Sequence, residues 1–306
     1  MKRNNFFIIF IMMVFIIMIL GCNSQKAKSR TDLRKTKPDN PTITDQNDGY
    51  EKFPSHPFSL TMLDVGQGLC ILVQSNDEFM VYDGGGRNQS SKVVSFFKKH
   101  KINRIKYMLA SHYDDDHIAG LIGLLKNTSV NTAIIPDYWA DTKTYLSFKS
   151  ALNVANSVVY AETGKKYRVG DAIFEILYAT DGTEEKENNR STVIKVKYDN
   201  FSCIITGDAE RETERKLVDR HSDLTCDLYI VGHHGSSSSS SFRFVYTMKP
   251  KLAFISVGRD NKYYHPTKKV LKILEKNKVT VYRTDIQGTV TLIHDGSKFK
   301  VNTTKK

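Results

Sequence analysis

The ten residues SHYDDDHIAG, 111–120, place two histidines and three aspartates within six positions. Asp114, Asp115 and Asp116 repel one another, and holding three carboxylates together in a folded chain costs several kcal/mol in repulsion and desolvation. One or two divalent cations reverse the sign of that cost. His112, Asp114, Asp116 and His117 alternate so that a loop can turn several of them to one side. A solvated acidic loop is the simpler reading, but it gives the flanking histidines no role. Ligand-type residues recur downstream. Ile204-Ile205-Thr206 runs into Gly207-Asp208, and Leu228–Val231 runs into Gly232-His233-His234-Gly235. With Ile105–Ala110, which ends directly at SHYDDDHIAG, three apolar runs each deliver Asp or His at their C-terminal ends, which is the pattern of a metal site built on strand ends.

For these residues to meet, strands and helices must carry them to one side of the fold. Apolar or alternating runs at 58–63, 69–74 and 79–83 predict three successive strands, separated by turns such as Asp64-Val65-Gly66-Gln67-Gly68. An amphipathic stretch near 90–100 leads to a strand at 105–110 that ends directly at the acidic motif. A helix at 118–126, a strand at 130–135 and a helix at 144–155 follow. The second half repeats the alternation, with strands near 173–178, 192–198 and 201–206 and a helix at 210–220. A strand at 227–231, a helix at 241–247, a strand at 252–256 and a helix at 267–277 come next, and the last runs predict strands at 279–282, 289–293 and 298–302. Two halves that each begin with meandering strands and end with helices predict an α/β protein, a four-layered αββα sandwich.

The first 21 residues stand apart. Lys2 and Arg3 precede an uninterrupted apolar run from Phe6 to Leu20, followed by Gly21-Cys22. That run falls short of the ~20 residues a spanning helix needs, so it reads as an export signal. A small residue before a cysteine at this point resembles a bacterial lipobox, which implies lipid on Cys22 and anchoring to the outer face of the cell membrane. An ordinary signal peptide or an uncleaved anchor, with Cys22 incidental, is the alternative. Residues 22–56 are rich in Lys, Ser, Thr, Asp, Asn and Pro and are expected to form a flexible tether. Residues 57–306 are expected to form the folded domain. Cys70, Cys203 and Cys226 sit in or beside apolar runs without CxxC spacing, so they read as buried small hydrophobes rather than thiolate ligands.

The chain carries a formal charge of +12, and residues 57–306 carry 36 Lys and Arg against 28 Asp and Glu. That balance favours a polyanionic neighbour such as nucleic acid, anionic lipid or anionic wall polymer, although a solvated basic surface gives the same count.

The stretches MLDVGQGLCILV (62–73), DGGG (83–86), SHYDDDHIAG, NNRSTVIKV (188–196), ITGDAE (205–210), VGHHGSSSSS (231–240) and GRDNKYYHPTKKVL (258–271), with YRTDIQGTV near the end, occur in order across nearly the whole domain. Together they resemble the metallo-β-lactamase superfamily of binuclear hydrolases. More narrowly, they resemble the extracellular hydrolase domain of the ComEC family of DNA-uptake competence proteins. The membrane-channel part of that family has no counterpart in these stretches, so the resemblance implies a stand-alone, lipid-anchored hydrolase.

The resemblance also implies roles. His112 and Asp114 would hold one metal, Asp116 and His117 a second, and Asp208 would bridge both. His233 is the expected later ligand, with His234 as its substitute. Asp116 and Asp208 would orient the attacking water. His265 would contact the substrate or protonate a leaving oxygen, or else merely cap the following helix. Asp64 and Gln67 would orient the ligands from behind or simply shape their turn. The superfamily usually has His where Asp114 stands, and its third histidine is replaced in this region by Asn188, Asn189 and Ser191. The resulting oxygen-rich set suits two Mn2+ or Mg2+ ions as well as Zn2+. Such a pair acidifies water and polarises the attacked centre. The implied activity is a phosphodiesterase or nuclease on DNA or another phosphodiester. The alternatives are an envelope esterase or phosphodiesterase on wall polymers, and a metal-free binding protein that keeps only the fold.

Overall fold

The computed structural model describes residue 53 and residues 56–305. The chain opens with three antiparallel strands, β1 (Phe58–Met62), β2 (Ile71–Ser75) and β3 (Glu78–Tyr82). Helix α1 (Ser90–Lys99) crosses to β4 (Arg104–Leu109), α2 (Asp115–Leu125) to β5 (Ser129–Ile135), and α3 (Lys143–Ala151) to β6 (Ser157–Tyr160). These crossovers make β3 to β6 parallel.

A second sheet then begins with β7 (Lys166–Val169), β8 (Ala172–Tyr178), β9 (Val193–Tyr198) and β10 (Phe201–Ile205), all antiparallel. It continues in parallel through α4 (Arg211–Arg220), β11 (Leu228–Ile230), α5 (Phe242–Met248), β12 (Leu252–Ile255), α6 (Lys268–Lys276) and β13 (Thr280–Arg283). After the short α7 (Thr284–Gln287), β14 (Val290–His294) and β15 (Phe299–Thr303) return to the first sheet beside β1. The sheet orders are β15-β14-β1-β2-β3-β4-β5-β6 and β13-β12-β11-β10-β9-β8-β7.

The strands bury both faces, which is why they read as nearly continuous apolar runs. Leu60, Met62, Ile71 and Val73 from the first sheet share one core with Phe174, Ile194, Cys203, Ile205 and Phe254 from the second. The alternate residues Cys70, Leu72 and Val81 pack against Val93, Phe97, Ile118 and Leu121 on α1 and α2. On the second sheet, Ile204, Tyr229 and Val231 pack against Leu217, Phe244 and Val270 on α4, α5 and α6. Helices, sheet, sheet and helices give the expected four-layered αββα sandwich.

The structure departs from the sequence reading in places. Strands β6 and β7 and helix α7 were not expected. β6 and β7 are each the edge strand of a sheet, four residues long and largely exposed, and so lack the apolar run that marks interior strands. Helix α2 begins at Asp115 rather than Ile118, so Asp116 and His117 lie in its first turn with Asp114 at the N-cap position. Carboxylates there are favoured by the partial positive charge of the helix N-terminus.

Phe53 falls within the stretch expected as tether, yet it is buried against Phe79, Phe96 and His100. The export signal, Cys22 and the rest of the expected tether lie outside the described residues. Among the described residues, Cys70, Cys203 and Cys226 are buried free thiols, and no helix is long and apolar enough to cross a membrane.

Candidate metal centre

The site is built from the bottom of the first sheet upward. β3 ends at Tyr82, and Asp83 follows with a positive φ of 58°. Its fully buried carboxylate accepts hydrogen bonds from the Ser111 backbone N–H at 2.8 Å and the Ser111 hydroxyl at 2.7 Å. The same carboxylate meets Nδ1 of His117 at 2.7 Å. With Nδ1 engaged, His117 turns Nε2 toward Oδ1 of Asp208, 3.2 Å away. The DGGG segment and α2 are pressed together to make this possible. Gly84 N–H donates to the His117 carbonyl and Gly120 N–H to the Gly85 carbonyl. A Cβ on Gly120 would lie 1.7 Å from the Gly84 carbonyl oxygen, so only glycine fits.

The second sheet brings the opposing groups. Asp208 follows β10, and its backbone N–H donates to the Ser191 hydroxyl at 3.1 Å. Its two carboxylate oxygens face three histidines: His117, His234 at 3.6 Å and His233 at 3.7 Å. His233 and His234 occupy consecutive left-handed conformations, φ 51° and 54°, followed by Gly235 at 83°. Holding two non-glycine residues there costs on the order of 1–3 kcal/mol each, and such strain concentrates at functional sites. The effect is to point the two rings apart. His234 donates from Nδ1 to the Ser256 carbonyl at 2.9 Å and sets Nε2 3.4 Å from Oδ2 of Asp116. His233 instead lies against the Ser238 hydroxyl at 3.1 Å and the Asn188 amide at 3.3 Å.

Two overlapping groups result, His112–His117–Asp208 and Asp116–His117–His234, with the ligand-type atoms of each within 4.8 Å of one another. His234, expected only as the substitute for His233, is the histidine of this turn that falls in these groups, while His233 lies at their side with Nε2 3.7 Å from Asp208. Asp114, expected beside His112, lies outside both groups, half exposed on the rim with Oδ2 3.4 Å from His112 Nε2. Asp115 turns away altogether, accepting from the Thr144 hydroxyl at 2.7 Å and lying 3.8 Å from Arg87.

Asp64 and Gln67 do not orient ligands directly. Asp64 accepts from Gly66 N–H and pairs with Lys92 and Lys305, while Gln67 accepts from Gly258 N–H. Their turn supports the site through Gly68, whose carbonyl takes the hydroxyl of Ser256, the residue that holds His234. His265 does not cap α6, because Thr267 occupies the N-cap position. Its ring stands edge-on to His233 at 5.8 Å and stacks on Tyr263. Where the third histidine is missing, Ser191 joins Asp208 to His112, its hydroxyl lying 3.4 Å from His112 Nδ1. Asp83 was not singled out from the sequence, although an acid placed directly after an apolar strand and before three glycines was a usable signal.

The donor atoms fit a divalent cation. Nε2 of His112, His117 and His234 and Oδ1 of Asp208 are all buried and make no hydrogen bond. Leaving buried polar atoms unsatisfied costs about 1–3 kcal/mol each, and cations held by the two groups would satisfy them. Burial opposes ionisation of Asp208, but His117 and His234 outweigh it and hold the carboxyl well below its usual range. Burial likewise opposes Asp116, which His234 and His117 bring down. His117 is raised well above the usual imidazole range, burial being overcome by Asp208 and Asp83. His265 is pushed down to about 4 by burial, reinforced by His233 and His234.

The family described as the metallo-beta-lactamase superfamily matches residues 63–259. The chain belongs to that superfamily, whose members are usually metal-dependent hydrolases. It is related to competence proteins. It is 28% identical over 248 residues to ComE operon protein 3 of Bacillus subtilis, a match covering 75% of this chain and 32% of that protein. It is 26% identical to Competence protein ComA of Neisseria gonorrhoeae, covering 78% and 32%, and 28% identical to Recombination protein 2 of Haemophilus influenzae, covering 79% and 29%. The chain thus spans about a third of the length of these curated relatives. Among solved structures, the metallo-beta-lactamase fold protein YhfI of Bacillus subtilis shares the fold at TM-score 0.53 and 12% identity, covering 80% of this chain and all of that one. CmlA, a diiron beta-hydroxylase from Streptomyces venezuelae, does so at TM-score 0.53 and 15% identity, covering 80% and 55%.

Proposed function

We propose that the protein is an exported, metal-dependent phosphodiesterase acting on DNA or another phosphodiester. The observation that carries this reading is the convergence of His112, His117, His234, Asp116 and Asp208, in which Nε2 of the three histidines and Oδ1 of Asp208 are buried without a hydrogen bond. His112, His117 and Asp208 would hold one cation. Asp116 and His234 would hold another. Bound there, divalent cations supply Lewis-acid polarisation of a phosphoryl oxygen and acidification of water.

The rest belongs to the chain. Asp83 and Ser256 fix the ring orientations of His117 and His234, so that each presents Nε2. The Asp116 side chain, 36% exposed, is the cluster carboxylate most open to solvent after Asp114, and is placed to orient an attacking water. His265, neutral at pH 7 with a pKa near 4, donates a hydrogen bond to a substrate oxygen rather than a proton. An oxygen-rich donor set suits phosphoryl chemistry with Mn2+ or Mg2+ as well as Zn2+. The names of the relatives, competence and recombination proteins, point to processes that handle DNA.

The Gly21-Cys22 motif supports anchoring through lipid on the outer face of the cell membrane, and an anchored enzyme would also meet wall phosphodiesters. Elemental analysis of the purified protein, followed by hydrolysis assays on DNA and on a small bis-aryl phosphodiester with added Mn2+ or Zn2+, tests the reading. Bound metal and diester cleavage are expected. A metal-free protein that gains no activity from either ion would refute it.

A further inference from the structure

The domain's positive charge is concentrated at one end of the sequence. Residues 57–250 carry 23 Lys and Arg against 24 Asp and Glu, whereas residues 251–306 carry 13 against 4. Helix α6 gathers part of that excess into a row. Lys268, Lys272 and Lys276 recur at every fourth position and so lie along one side of the helix in steps of ~6 Å, with Lys269 beside them. Val270 and Leu274 are buried on the opposite side, which leaves all four lysines exposed. None of the four pairs with a carboxylate among the described residues, whereas Lys186, Lys216, Lys251 and Arg283 all do.

One aromatic ring lines the same depression, and a second lies against it. Phe242, on α5, shares with the four lysines a surface groove of about 510 Å3. Its ring stacks on Tyr246 at 5.8 Å and 18° between planes, and both are more than half exposed. Two large stacked rings left in solvent beside unpaired cations match a ligand that alternates anionic groups with planar apolar faces.

The two helices that border the groove are anchored beside the metal centre. The serine turn that leads into α5 touches His233 through Ser238, and Ser241 caps α5. Thr267, at the start of α6, donates from both its N–H and its hydroxyl to the Gly235 carbonyl, one residue past His234. The N-terminal ends of both helices are thereby fastened to the loop that carries the cluster histidines.

We propose that the α5–α6 groove binds a single-stranded polynucleotide and feeds it to the cluster, with the lysine row taking phosphates and the Phe242–Tyr246 pair stacking unpaired bases. This rests on the phosphodiesterase reading and specifies its substrate. A polyol-phosphate wall polymer has the charge but no ring to stack, and a duplex hides the faces of its bases.

Fluorescence anisotropy of a labelled 12-nucleotide oligothymidylate with the full chain, in EDTA to prevent cleavage, tests the proposal. Replacing Lys268, Lys272 and Lys276 together with Ala should weaken binding at least tenfold and flatten the slope of log affinity against log salt by about 2, at ~0.7 per phosphate contact on a single strand. Tyr246→Ala should weaken binding roughly tenfold with the salt slope unchanged, because stacking is not ionic. Inorganic polyphosphate of equal charge should compete poorly.

The proposal is overturned if polyphosphate or phosphatidylglycerol vesicles bind as well as the oligonucleotide. It is equally overturned if either set of substitutions leaves binding intact. Both variants should keep the wild-type melting temperature and hydrolyse the small bis-aryl diester, which does not reach the groove, at the wild-type rate. Absence of that hydrolysis in the wild type would refute the phosphodiesterase reading, while the binding curves would still decide the groove.

Discussion

The loop at 111–117 and the loop at 232–235 both aim imidazole Nε2 atoms into the same small space, but they do so by different means. In the first, a buried side chain sets the ring: Asp83 grips Ser111 and His117 from behind. In the second, the backbone does it. Two left-handed histidines and a glycine turn the chain, and a main-chain carbonyl at Ser256 holds the ring of His234. A carboxylate partner makes its histidine more basic than a carbonyl partner does. The first loop is therefore an electrostatic device that one substitution can dismantle. The second is a conformational device whose outcome is decided by φ rather than by composition.

The comparison can be broken hardest where the loops meet. Asp208→Ala removes the carboxylate that faces histidines from both loops, so it should abolish bound metal and diester hydrolysis together, the largest loss of any single change. Metal content by elemental analysis and rates on the bis-aryl diester check this. Next comes the second loop itself. His234→Ala should lose bound metal and activity, whereas His233→Ala should retain its metal, because the His233 ring is held by Ser238 and Asn188 instead. Metal loss in the His233 variant alone would mean that the turn orients the rings the other way.

The first loop should yield a smaller effect through its support. Asp83→Asn keeps the shape but removes the negative charge behind His117, and should cost ~10–100-fold in metal affinity. Competition with a chelator measures this. An affinity unchanged by Asp83→Asn would make the two loops equivalent after all.

These two loops also show what the sequence made legible. SHYDDDHIAG was readable because its ligand-type residues are contiguous and follow a buried strand. The interior strands were readable because burial on both faces gives long apolar runs, while β6 and β7 escaped as short, exposed edges. Which histidine of GHHG enters the cluster was not legible, since consecutive left-handed residues leave no compositional trace beyond the following glycine. Asp83 was hidden in a different way. Its role depends on a pairing across 34 residues to His117, and only the packing of Gly84 against Gly120 brings the two together. The resemblance allowed Asp64 and Gln67 either to orient the ligands or to shape their turn, and lysines and the Gly258 backbone claim their side chains.

The most direct measurement compares Asp115→Ala with Asp116→Ala, neighbours of identical chemistry on the first turn of α2. Asp115 faces Thr144 and Arg87, and its loss should change metal content and diester hydrolysis by no more than about twofold, as for an exposed ion pair. Asp116 faces His234 in the cluster, and its loss should empty a metal position and reduce hydrolysis by more than the ~10–100-fold that an outer supporting partner is worth. Metal stoichiometry and rates measured side by side decide the matter. Equal losses in the two variants would show that the carboxylates act as a general acidic patch, and would contradict a coordination site at this position.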